Sequence, residues 1–138
     1  MRSLFLIILS VFLFSFSLGE KEFPMGLIYT VEIGSYQGGI LVTKNMEAVG
    51  EVYVEKDKGG LDTYRIGAYK KYDDAEAAQK KLAKMGYKLS EIKAFYNREP
   101  LNVTAAVEVQ DIIEKVEKRT VESISVEEMN LLIESLGQ

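Results

Sequence analysis

One tetrapeptide pattern occurs twice in this chain, as Ile33-Gly34-Ser35-Tyr36 and, 33 residues on, as Ile66-Gly67-Ala68-Tyr69. An alternating run leads into each copy. Tyr29, Val31 and Ile33 alternate with Thr30 and Glu32, and Tyr64 and Ile66 alternate with Thr63 and Arg65. A period of two is the pattern of a strand with one buried face. The glycine closing each run marks where the chain must leave the sheet. Two strands that end alike restrict the fold to two related halves, with Glu32 and Arg65 at equivalent outward positions.

The intervening segments complete those halves. Glu51 to Lys56 alternates again, with Val52 and Val54 on one face and Tyr53 on the other. Asp57-Lys58-Gly59-Gly60 is a turn, so this strand and Thr63 to Tyr69 form an antiparallel hairpin. A helix is expected from Asp73, capped by Asp73 and Glu76, with Ala75, Ala78, Leu82 and Met85 on its apolar stripe and Gly86 as its stop. Glu91 to Tyr96 is the fourth strand. Gly39 to Gly50 is either a loop or a short imperfect helix anchored by Leu41, Met46 and Val49, and the helix is favoured. Beyond Pro100, Val103 to Val109 alternates like a strand, yet Val109, Ile112, Ile113 and Val116 have helical spacing. A helix from about Thr104 to Lys118 is expected, then a last one behind the capping box Ser125-Val126-Glu127-Glu128, with Met129, Leu132, Ile133 and Leu136 on its apolar side. The fold class is therefore α+β: βαββαβ with a four-stranded antiparallel sheet, helices on one face in the RNP-like manner, a degenerate first helix and additional C-terminal helices.

The first residues are read separately. Arg2, the apolar run Leu4 to Phe16 and the small residues of Ser17-Leu18-Gly19 make the tripartite pattern of a secretory signal, with cleavage expected near Gly19–Glu20. The run is short of the roughly 20 residues a spanning helix needs. A soluble periplasmic or otherwise extracytoplasmic protein with no membrane anchor after cleavage is expected. Loss of Arg2 would take the net charge from −4 to −5, an acidic balance that argues against nucleic acid as a partner. His, Cys and Trp are absent. Cys- and His-based nucleophiles, disulfides and the usual zinc sites are thereby excluded. The acidic residues lie mostly among lysines on helical surfaces, where solvated charge is the simpler reading. A binding module is expected rather than an enzyme, with no cofactor and no metal.

The order of these pieces resembles SPOR (sporulation-related repeat) domains. Tyr29 to Tyr36 (YTVEIGSY) is similar to that family's first strand, Tyr-x-Val-Gln-apolar-Gly-Ser-Phe, with Glu32 in place of the Gln. Thr63 to Tyr87 (TYRIGAYKKYDDAEAAQKKLAKMGY) looks like its second half, and the shortened first helix is typical of the SPOR-like variants of Bacteroidetes-type bacteria. The resemblance spans Leu27 to Tyr96, about half of the chain. Beyond the leader at 1–19, it implies a SPOR-like domain at 25–101, followed by a C-terminal helical extension at 102–138. It also implies binding of peptidoglycan glycan strands stripped of stem peptides, through Glu32, Ser35 and Arg65. Thr30, Tyr53 and Lys93 join these candidates by strand alternation alone.

Several of these residues carry two readings. Glu32 and Arg65 either hydrogen-bond a ligand or pair with each other across adjacent strands. Tyr36, Tyr69 and Tyr72 either stack on sugar rings or, as expected, close the core. Lys80, Lys81 and Lys84 read as a solvated helix face. A carboxylate at Glu32 can only accept hydrogen bonds, where an amide would also donate. With the eroded first helix, this keeps a second function open: an envelope protein-interaction or structural accessory that has lost glycan binding.

Overall fold

The described residues, 21–123 with 130, 131 and 134 of a computed structural model, form β1 (Leu27–Tyr36), α1 (Lys44–Val49), β2 (Val52–Lys56), β3 (Asp62–Tyr69), α2 (Tyr72–Lys84), β4 (Glu91–Tyr96), β5 (Glu99–Leu101) and α3 (Val103–Ser123). The expected leader lies outside them, as does the last helix from Ser125, apart from the helical and exposed Asn130, Leu131 and Glu134. All strand pairs are antiparallel, in the order β2-β3-β1-β4-β5. Among the described residues no helix is long and apolar enough to cross a membrane.

The sheet has five strands, where four were expected. Asn97 and Arg98 take φ of 50° and 72°, the left-handed pair of a type I′ hairpin turn, and fold Glu99–Leu101 back on β4. Three residues are too few to show a period, and Pro100 is tolerated because β5 is an edge.

The alternation of β1 sends Tyr29, Val31 and Ile33 to one side of the sheet, where all three helices pack. Val31 and Ile33 meet Tyr64 and Ile66 of β3, Met46 of α1, and Ala78 and Leu82 of α2. Leu27 and Tyr29 meet Ala75 of α2, Ala94 of β4 and Ala106 of α3. Full burial of a side chain such as Leu82 or Ile66 contributes about 1.5–3 kcal/mol, so these few positions dominate the stability of the sheet–helix interface. The first turns of α3 belong to this core, since Ala106 is fully buried.

Helix ends depart from expectation in instructive ways. Thr43 caps α1 and Met46 anchors it, whereas Leu41, an expected anchor, is 82% exposed. The capping box of α2 is not made: the helix starts one residue earlier, at Tyr72, and Lys71 offers no side-chain cap. Instead the Tyr72 N–H donates to Gln110 Oε1 of α3 at 3.1 Å, a partner 38 residues away. Gly86 does end α2 as expected, the Gly86 and Tyr87 amides returning to the Ala83 and Leu82 carbonyls. Asn102 Oδ1 accepts from the Thr104 amide at 2.9 Å and opens α3.

The repeated tetrapeptide has one physical basis in both copies. Each glycine sits at a register irregularity of the β1–β3 ladder with positive φ, 138° at Gly34 and 77° at Gly67. Each tyrosine two residues on folds back over its glycine. Tyr36 donates to the Ile33 carbonyl at 3.1 Å, and Tyr69 reaches the Val49 carbonyl at 2.8 Å, tying β3 to α1. A Cβ on Gly34 would stand 3.1 Å from the Tyr36 hydroxyl, and one on Gly67 would overlap the edge of the Tyr69 ring. Gly67→Ala is therefore expected to cost the backbone strain of φ > 0, about 1–2 kcal/mol, plus displacement of that ring. Gly60→Ala, at φ 80° with nothing within 4 Å of its Cβ, isolates the strain alone. In urea denaturation Gly67→Ala should lose about 1 kcal/mol or more beyond Gly60→Ala; equal losses would contradict the ring-over-glycine account.

Candidate functional site

Among the described residues no helix packs on the other face of the sheet, which is laid out by cross-strand register. One row reads Glu55, Thr63 and Ser35, the next Tyr53, Arg65, Glu32 and Glu91. Below them Thr30 stands beside Lys93, and Ile28 beside Phe95 and Pro100. Every candidate named from the sequence thus lies on one surface, because residues two apart on a strand share a face, Ser35 joining them through the register irregularity between Glu32 and Gly34.

They do not all remain available. Thr30 is fully buried, and its hydroxyl donates to the Ile66 carbonyl at 3.2 Å. Ser35, at the far end of β1, is exposed, its Oγ 2.6 Å from Thr63 Oγ1. Tyr53 is buried and donates to Glu51 Oε2 at 2.7 Å. The Arg65 Nε donates to Glu32 Oε2 at 3.1 Å, a second guanidinium nitrogen bonds Glu55, and the guanidinium carbon lies 4.9 Å from the Phe95 ring centroid. Of the two readings open for Glu32 and Arg65, cross-strand pairing is the one present here. Lys93 pairs with Glu91 at 2.8 Å, a hydrogen bond that raises the lysine's pKa and lowers the carboxylate's. Tyr36, Tyr69 and Tyr72 are half-buried among core residues on the helix side.

The structure brings Glu32, Arg65 and Lys93 together along a groove of about 540 Å³, which Phe95, Pro100 and Asn102 also line. It forms because β5 pairs only with Ala94–Tyr96 and leaves the first half of β4 uncovered. Phe95 was legible in principle, standing two residues beyond Lys93 on one strand. Phe23 was not, since nothing periodic surrounds it. Its ring packs edge-on against Tyr53 and Phe95, at centroid distances of 5.0 and 5.1 Å, so residues ahead of β1 cross the face. Arg98 holds this segment, its Nε donating to the Phe23 carbonyl at 2.7 Å and its terminal nitrogen to Glu22 at 2.8 Å. Lys21 pairs with Glu51.

Magnitudes order these contacts. Exposed ion pairs such as Lys93–Glu91 and Arg98–Glu22 are screened by solvent and contribute little, so a ligand can exchange them at little cost. Half-burial of Phe23 with two edge-on ring contacts is worth about 2 kcal/mol. The ring is the larger obstacle to anything approaching Tyr53. Chemically, the face offers charged donors and acceptors beside an aromatic wall. Among the described residues no group of three or more Asp or Glu side chains is placed to hold a metal ion.

Comparison with known proteins returns no match: no family model, curated protein or solved structure matches the chain.

Burial, and then the hydrogen bond to Glu51, push the Tyr53 phenol up to about 12. An unfolded tyrosine ionises near 10. Below pH 10 both states hold the proton and the contribution of Tyr53 to stability is complete. As pH rises from about 10 to 12 only the unfolded chain ionises there, so stability falls. Tyr53→Phe should flatten the stability–pH slope in that window by one proton, in denaturation at stepped alkaline pH. Parallel slopes for variant and parent would show that Tyr53 ionises freely.

Proposed function

We propose that this chain is an exported, non-catalytic binding module of the bacterial cell envelope whose helix-free sheet face holds extended peptidoglycan glycan strands. The observation that carries the reading is the groove in which Glu32, Arg65 and Lys93 stand beside Phe95. Hydroxyl and acetamido groups of a glycan both donate and accept, which suits mixed carboxylates and cations, and the apolar face of a hexose suits an aromatic ring. The first six elements read as a SPOR-like, RNP-like βαββαβ unit, with β5 and α3 as additions at its edge and on its helix side. The leader pattern of residues 1–19 supports an extracytoplasmic location.

A second reading, an envelope protein-interaction or structural accessory, is favoured by one observation. Ile112 and Ile113 of α3 are 60% and 37% exposed, an apolar surface away from the groove.

Co-sedimentation with insoluble peptidoglycan, before and after an amidase removes the stem peptides, separates the two. Retention is expected to rise after amidase treatment. Lys93→Ala should lower it about threefold to tenfold, the loss of one exposed charged hydrogen bond of about 1 kcal/mol. No retention with either preparation would overturn the glycan reading and leave the α3 surface as the place to seek a partner.

A further inference from the structure

The aromatic pair on the sheet face already has an occupant. Tyr53 belongs to β2 and Phe95 to β4, with β3 and β1 between them. A ring that touches both must lie over the two central strands, and Phe23 does so. Its carbonyl and its neighbour Glu22 are held by Arg98, and Lys21 by Glu51. These ties join exposed side chains that water can also satisfy. The base of the segment is firmer: Asn97 and Gly26 exchange two hydrogen bonds of 3.0 Å, one from the Asn97 amide to the Gly26 carbonyl and one from the Gly26 amide to Asn97 Oδ1. The β4–β5 turn therefore anchors the segment at Gly26 and lightly clasps it beyond, the construction of a strap with one fixed end.

We propose that residues 21–24 are an internal strap whose Phe23 ring fills a ring-binding slot walled by Tyr53 and Phe95, so that a glycan ring reaches this slot only by displacing it. The inference rests on the glycan reading of the same face and adds to it a subsite and its regulation. Arg65 is part of the slot, since its guanidinium lies over the Phe95 ring and both line the groove. A strand lying in the groove along Lys93 and Arg65 would meet the Phe23 ring at Phe95, so binding and strap closure compete for one surface. When the competent state is a minor one, apparent affinity falls by its population. Removing the occupant then tightens binding.

The test is a binding titration on amidase-treated peptidoglycan with the protein expressed from its full-length sequence, its Phe23→Ala variant and its Arg98→Gln variant. Phe23→Ala should bind about fivefold to tenfold more tightly, and Arg98→Gln, which loosens the clasp and keeps the ring, by a smaller factor. Thermal unfolding of each variant reports whether the fold is kept, and Arg98→Gln leaves the ring contacts in place should Phe23→Ala unfold. Measurable binding by the parent with equal or weaker binding by Phe23→Ala overturns the strap and leaves the glycan reading intact. Binding by none of the three overturns the glycan reading and the strap with it.

Discussion

A strand flanked by partner strands on both edges and covered on both faces can satisfy its backbone only through its neighbours, and Tyr29–Val31 of β1 is in that position. Everything else is arranged around this strand. Its odd-numbered side chains to Ile33 seat the three helices, and its even-numbered ones, Ile28, Thr30 and Glu32, form the middle of the other face. A slip of one residue would exchange the two sets. At the Gly34 and Gly67 irregularities the ring of the tyrosine two residues on occupies the space a Cβ would take.

That dependence explains which parts were legible in the sequence. Strands β1 to β4, the β2–β3 turn and Ala75, Ala78 and Leu82 of the α2 stripe follow from periods and turn residues, local signals that survive in the fold, whereas Met85 of that stripe is exposed at the helix end. The face shared by Thr30, Glu32, Tyr53, Arg65 and Lys93 follows from alternation alone. What stayed hidden was decided by long-range partners. Gln110 caps α2 in place of Asp73, a choice 38 residues distant. Strand β5 exists because Asn97 and Arg98 adopt left-handed backbone conformations that neither residue demands. Phe23 lies on Tyr53 and Phe95 with no pattern around it.

Two of the hidden parts, β5 and Phe23, alter the candidate face. Alternation suggests an open polar platform. In the fold, Thr30 is sealed beneath the surface, Tyr53 is covered by Phe23, and Arg65 is held between Glu32 and Glu55. What remains accessible is narrower, a groove at the β4 edge with Lys93 as its more exposed cation. Its exposed Lys93–Glu91 pair is weakly held and exchangeable, whereas its aromatic wall is occupied by packing of greater worth. On the proposed reading, such a face would discriminate more by what can replace the Phe23 ring than by net charge.

The most direct measurement is an NMR titration of the labelled protein with soluble glycan fragments lacking stem peptides, read at each backbone amide. The expected result is a set of shifts confined to Arg65, Glu91 to Phe95 and the Phe23 segment, with α1 and α2 unmoved. Shifts centred on α3, or none at millimolar fragment, would contradict glycan binding by the helix-free face.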